Sequence, residues 1–242
     1  RGFMALPPVV KNLILINVLM LIATWTAKSI FSVDLTTILG LYFPKSEQFM
    51  PLQIITHMFM HANFWHLFFN MFALYMFGGI LESVWGPKRF LIYYMVCGLG
   101  AAFVHKTVIL FQYNKLINTI APDQLQLVLD NGAAVLSEGK QYADVAMRDL
   151  QMLLNVPTVG ASGAIFGVLL AFGVLFPNTQ LMLLFPPIPI KAKYFVIGYG
   201  AIELYLAVTQ PGSNIAHAAH LGGMLFGYIL IRYWRKTTTT LY

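Results

Sequence analysis

Charge is what this sequence has least of. Only 10% of its 242 residues are Asp, Glu, Lys or Arg, against 58% that are apolar, whereas a water-soluble domain carries roughly 25% charged residues. That deficit points to lipid as the main solvent. Cysteine is nearly absent: Cys97 stands alone in an apolar run, which excludes an intrachain disulfide and a cysteine-held metal cluster and leaves a core-filling role. There is no H-E-x-x-H pattern of a zinc protease, so no metal and no other cofactor is expected. The net charge is +6, yet the basic residues form no dense patch; nucleic acid is not an expected partner, and these residues read as topology determinants at the ends of apolar runs. An internal repeat is missing too, which argues against an inverted-repeat transporter. The first apolar run has no A-x-A cleavage site and is long enough to span, so it reads as a membrane helix rather than a removable signal peptide.

Long apolar runs are what the chain has in their place. About 20 such residues cross the hydrocarbon core as a helix, and six segments fit: 12–31, 64–84, 90–111, 160–176, 192–208 and 215–233. Prolines and glycines punctuate most of the gaps, at Pro44, Pro51, Gly86, Pro87, Pro157, Pro177, Pro186, Pro187, Pro189, Pro211 and Gly212. The expected fold class is an all-α membrane protein, one transmembrane domain over 1–242. With both termini cytoplasmic, Arg1, Lys11, Lys88, Arg89, Lys191, Lys193, Arg232, Arg235 and Lys236 crowd short inner connections, while Lys28, Lys45, Lys106, Lys115, Lys140 and Arg148 are diluted over two long outer ones. One outer stretch, about 114–155, differs in kind. It holds Asp123, Asp130, Glu138, Asp144 and Asp149, five of the nine acids. It reads as an extracytoplasmic insertion between the third and fourth spans, with one or two surface helices and an apolar face at Val145, Leu150, Leu153 and Leu154.

Polar groups inside spans are costly and therefore suspect as functional. They concentrate in three places. Gly160-Ala161-Ser162-Gly163-Ala164-Ile165-Phe166-Gly167 opens the fourth span and puts Ser162 at a helix N-terminus, where unpaired amides and the positive end of the dipole can hold a developing oxyanion. In the sixth span His220, Gly223 and Gly227 lie at i, i+3 and i+7 on one face. The stripes Gly163/Gly167 and Gly223/Gly227 would let the two helices pack backbone to backbone. Ser162 could then meet His220, the base that a serine nucleophile needs. Neither span carries Asp or Glu, so a dyad without an orienting acid is expected. His66 and Asn70, at i and i+4 entering the second span, are neutral donors suited to complete an oxyanion hole. His217, one turn before His220, is the rival base. With His220 it could chelate a metal, but no carboxylate ligand is evident nearby. Glu203, in the fifth span, is a lone charge with no role.

These segments, in this order, resemble the rhomboid family of intramembrane serine proteases. Gly160 to Gly167, His61-Ala62-Asn63-Phe64-Trp65-His66-Leu67-Phe68-Phe69-Asn70 and Ala219 to Gly227 carry the resemblance, with a further G-G-x-x-E-x-x-x-G-x-x-R run from Gly78 to Arg89. It covers roughly residues 8–236, apart from the stretch near 114–152. It implies a six-helix rhomboid bundle with Ser162 as nucleophile and His220 as general base. His66, Asn70 and the Ser162 backbone N–H would form the oxyanion hole, with Phe166 packed on the imidazole and His61 organising the first loop. Gly160, Gly163, Gly167, Gly223 and Gly227 would be structural supports. Glu82 and Arg89 would be structural partners at the cytoplasmic end of the second helix. The implied activity is cleavage of single-pass membrane proteins within the bilayer of a bacterial inner membrane. The alternative is a catalytically silent relative that binds membrane clients. An extended substrate segment would pair with backbone near 155–159 or 210–214. One departure is plain: many members carry a Trp-Arg pair in the first loop, where this chain reads Met50-Pro51-Leu52-Gln53, so that loop must be anchored otherwise.

Overall fold

Helices form where the apolar runs lie, and proline and glycine start and stop them. The computed structural model describes residues 6–182, 187–210 and 216–237. Helix α1 (Pro8–Phe31) begins with proline in its first turn, where the missing N–H has no intrahelical partner to lose. It ends at Ser32, at φ 56 in the left-handed region. A short α2 (Leu35–Leu39) follows, capped by the Asp34 side chain, which accepts from Thr36 N. After a loop come α3 (Gln53–Thr56) and a 3₁₀ turn His57–Phe59. The Asn63 side chain accepts from His66 N at 2.9 Å and caps α4 (Phe64–Ala73). A π turn, Leu74–Gly78, joins α4 to α5 (Gly79–Trp85), making one rod from 64 to 85. Gly86, at φ 78, reverses the chain into α6 (Pro87–Ile117). The rest comprises α7 (Pro122–Ser137), α8 (Val145–Asn155), α9 (Ser162–Leu175), α10 (Ala192–Thr209) and α11 (His217–Thr237).

The fold is mostly helical, not wholly so: Gln180–Met182 (β1) pairs antiparallel with Pro189–Lys191 (β2) between α9 and α10. Three helical stretches, α1, the 64–85 rod and α6, are each long and apolar enough to cross a membrane. Helix α9 is apolar but has 14 residues, about 21 Å at 1.5 Å per residue. The last expected span begins at residue 215, outside the described residues; its helix starts at His217.

Large apolar side chains point outward: Leu19 and Trp25 on α1, Phe69 on α4, Phe103 on α6, Ile197, Leu204 and Val208 on α10 are all exposed. Such a surface would aggregate in water and suits hydrocarbon. Inside, α6, α9 and α11 pack around Tyr93, Tyr94 and Cys97, each fully buried. The Tyr93 hydroxyl donates to the Gly167 carbonyl at 2.8 Å, tying α6 to α9. A Cβ on Gly223 would overlap the Gly163 carbonyl, so α9 and α11 do touch backbone to backbone there. The stripes do not match throughout. Gly167 packs against Cys97 as well as the Gly223 carbonyl, and Gly227 faces Tyr93 of α6.

Helices α7 and α8 form a hairpin over a small core of their own, with Val128, Met147, Leu150 and Leu154 around Phe43 and Ile120. Met147 is buried there, and the expected Val145 is exposed. Gln151 locks the hairpin by donating to the Gly132 carbonyl at 3.0 Å. The first loop is held by Gln53, which is 1% exposed. Its Oε1 accepts from Met50 N (3.0 Å) and Tyr42 N (3.4 Å), and its Nε2 donates to Gln48 O (3.0 Å) and Ile38 O (3.1 Å). One amide side chain thus organises the loop that lacks the Trp-Arg pair.

Glu82 and Arg89 do not pair with each other. The Glu82 carboxylate accepts from the first-turn amides Val9 N (2.9 Å) and Val10 N (2.8 Å), capping α1. Arg89 lies over the Trp234 ring, 5.1 Å from its centroid.

Candidate active site

The first turns of α9 and α11 and the start of α4 meet at one place. Ser162 opens α9, so the amides of its first turn lack intrahelical acceptors. Its Oγ lies 2.9 Å from Nε2 of His220, which is hydrogen-bonding distance. Phe166, one turn along α9, stacks on the His220 ring at 4.1 Å between centroids and 6° between planes. Tyr199 of α10 also stacks on Phe166, at 5.3 Å between centroids. The imidazole is therefore held against rotation by an aromatic layer running from α10 through α9 to α11.

The approach to Ser162 is shaped by Gly160. It has φ 125, a conformation that side-chain-bearing residues rarely adopt. A Cβ there would come within 2.7 and 2.8 Å of His66 Cε1 and Nε2. The His66 ring thus lies against the backbone two residues before the serine. Asn70 is buried behind it, and its Nδ2 donates to the His66 carbonyl at 2.8 Å. His61 is buried with its ring edge-on to His66, 5.0 Å between centroids.

A second pin fixes the same segment. Lys106 of α6 donates to Thr158 Oγ1 (2.9 Å) and Leu41 O (2.8 Å), where a topology determinant was expected. Thr158 exchanges both backbone hydrogen bonds with Leu41, each 2.9 Å, and Gly160 N donates to His57 O at 2.9 Å. The stretch 155–159, expected to be open to an extended substrate, is therefore already largely paired. The other expected edge, 210–214, lies outside the described residues beyond Gln210.

Two expectations change on the α10 side. His217 is not placed as a rival base: its Nδ1 lies 2.7 Å from Glu203 Oε2, and it is His220 that meets Ser162. The sequence placed no carboxylate beside the two histidines, yet one is there. Glu203 Oε2 lies 2.9 Å from His220 Nδ1 as well. The two contacts differ in quality: that to His217 is an aligned hydrogen bond, while that to His220 is close but off the N–H axis. The same three residues form a cluster of potential metal ligands within 4.8 Å of one another, so the carboxylate missing from the sequence reading is present. Glu203 was hidden because it arrives from a different helix. Its being the lone carboxylate in an apolar run was the available signal.

The class defined by this fold is a helical membrane protein with a histidine-bonded serine at a helix N-terminus. The rhomboid domain model matches residues 48–237, and the chain belongs to the rhomboid family. It is 28% identical over 178 residues to "Rhomboid protein 1, mitochondrial" of Saccharomyces cerevisiae, covering 74% of this chain and 40% of that protein. It is 28% identical over 172 residues to "RHOMBOID-like protein 12, mitochondrial" of Arabidopsis thaliana (70% and 42%) and 25% identical over 180 residues to "Rhomboid protease AarA" of Providencia stuartii (72% and 52%). The chain thus matches about half or less of the length of these relatives. Family and apolar helices together make it an integral membrane protein. The names of its relatives are largely mitochondrial, so the expected bacterial inner membrane has no support from them as a group.

Proposed function

We propose that the chain is an intramembrane serine endopeptidase that cleaves membrane-protein segments, with Ser162 as nucleophile and His220 as base. The observation that carries this reading is the 2.9 Å contact of Ser162 Oγ with His220 Nε2 at a helix N-terminus. Imidazole takes the serine proton as Oγ attacks the carbonyl carbon. The oxyanion is met by the Ser162 N–H and by His66 and Asn70. His220 returns the proton to the leaving amine, and water then hydrolyses the acyl-enzyme. Relatives include a protein named as a protease, which supports hydrolysis over silent client binding.

In this reading α1, the 64–85 rod, α6, α9, α10 and α11 are six spans, with both termini on the basic side. The short α9 supports a buried site. Its length of about 21 Å is some 10 Å short of a hydrocarbon core of about 30 Å, so with Leu175 at one face Ser162 lies about 10 Å below the other. Irregular backbone before it is tolerable only against protein or water. A substrate helix enters between the rod and α10, and helix-breaking residues in its upper half expose the scissile bond. The α7–α8 hairpin then caps the same side as the site. The names of its relatives favour a mitochondrial membrane as the compartment.

The test is cleavage in vesicles of a single-pass reporter with a Gly-Pro pair in its upper membrane segment. Cleavage by wild type, lost in Ser162→Ala and in His220→Ala and weakened when the pair is replaced by leucines, supports the proposal. Equal cleavage by wild type and Ser162→Ala refutes it.

A further inference from the structure

Glu203 has no part in the mechanism just described, yet it is the charge nearest to the proposed base. A carboxylate in an apolar helix is costly unless its oxygens are satisfied. Glu203 is 7% exposed, and one of its oxygens, Oε2, faces Nδ1 of both His217 (2.7 Å) and His220 (2.9 Å). For Nε2 of neutral His220 to accept the Ser162 proton, the ring's single hydrogen must sit on Nδ1, the atom that faces Glu203. We propose, building on the protease reading, that Glu203 is a positioning residue for the reaction, holding the Nδ1 edge of His220 so that Nε2 is presented to Ser162 as a base.

The proton inventory closes without further groups. As the Oγ–carbonyl bond forms, the Ser162 proton moves to Nε2 and His220 becomes imidazolium. Glu203 stays ionised and balances that charge across 2.9 Å. When the C–N bond breaks, the same proton leaves with the amine. His217 is the second donor to the carboxylate. Its 2.7 Å aligned bond fixes Oε2 in place from one turn earlier on the same helix, while the Phe166–Tyr199 stack sets the plane of the His220 ring. Three helices, α9, α10 and α11, thereby define one imidazole orientation, and an acid from the fifth span serves where neither the fourth nor the sixth supplies one.

The experiment is fluorophosphonate labelling of the purified protein, read two ways: the endpoint counts folded sites, and the rate reports how strongly Ser162 is activated. Glu203→Gln is expected to slow labelling roughly a hundredfold at an unchanged endpoint, less than loss of an aligned triad acid costs because the contact is off-axis. Glu203→Asp keeps the charge but withdraws it by one methylene. It is expected to fall in between, roughly tenfold slow, and it decides the matter should the glutamine variant not fold. A helix glue without a role in positioning would lower the endpoint and leave the rate of the surviving sites unchanged. That result, or rates within threefold of wild type in both variants, overturns the proposal. So does wild-type labelling that is lost with a chelator and restored by zinc, which would reassign Glu203, His217 and His220 to a metal. If wild type itself fails to label, it is the protease reading that falls.

Discussion

Replacing Gly223 with alanine sets two physical effects of opposite sign against each other. By helix propensity alone, Gly to Ala in a helix interior stabilises by about 0.8–1 kcal/mol. The packing forbids the methyl: at Gly223 it would overlap the carbonyl oxygen and carbon of Gly163. Backbone atoms cannot swing aside as a flexible side chain does, so α11 must move away from α9 by about 1 Å or more to restore van der Waals distance. Ser162 lies one residue before Gly163 and His220 one turn before Gly223, so the displacement falls directly on their 2.9 Å contact. Lengthened by about 1 Å, it ceases to be a hydrogen bond, and misplacement of that size can cost on the order of a hundredfold in rate. Gly198 of α10 is the control, because a Cβ there meets nothing within 4 Å. Thermal unfolding in detergent and the fluorophosphonate labelling rate are measured for both variants. Gly223→Ala should lose about 1–3 kcal/mol, as overpacking does, and label about a hundredfold slower. Gly198→Ala should be neutral or slightly more stable, with wild-type labelling. A Gly223→Ala protein as stable and as quickly labelled as wild type would refute the backbone contact between α9 and α11.

Two further outcomes follow from the first loop. Gln53→Leu removes all four hydrogen bonds that organise residues 38–53 and strands buried backbone groups, so it should cost about 2–4 kcal/mol by thermal unfolding; a loss under 0.5 kcal/mol would contradict that anchoring. His57 is buried, which holds its imidazole down to about 4 from an ordinary 6.5 despite its bond to Gln53 O. The unfolded chain therefore binds a proton that the folded one refuses, so the stability His57 contributes is full above pH 6.5 and is lost as pH falls towards 4. The slope reaches about 1.4 kcal/mol per pH unit, and the acid-side fall in midpoint should shrink in His57→Gln.

Much of the fold was legible in the sequence, because lipid imposes length and apolarity that can be read residue by residue. The starts of α4, α9 and α10 fall within two residues of the expected spans. The approach of Ser162 to His220 was legible for a related reason: small residues at helical spacing announce a close approach, whereas the place of Phe166 on the imidazole came from the family resemblance alone. What stayed hidden were contacts between elements. Periodicity along one helix sees neither the carboxylate that α10 delivers to α11 nor the side chain of Gln53 replacing a missing loop anchor. The β1–β2 ribbon is three residues a side and bounded by prolines, too short for a strand pattern to emerge. Val145 carries helical apolar spacing but is exposed as the first residue of α8, and Met147, two residues on and turned to another face, is the one buried in the hairpin core.

The most direct test of the central claim is fluorophosphonate labelling of wild type beside Ser162→Ala, His220→Ala and His217→Ala. The account predicts a labelled wild type, no labelling in the first two variants and labelling that persists, though slowed, in His217→Ala, because it is His220 Nε2 that meets Ser162 Oγ while His217 acts only through Glu203. A folded wild type that does not label, or a His220→Ala protein that labels like wild type, would contradict it.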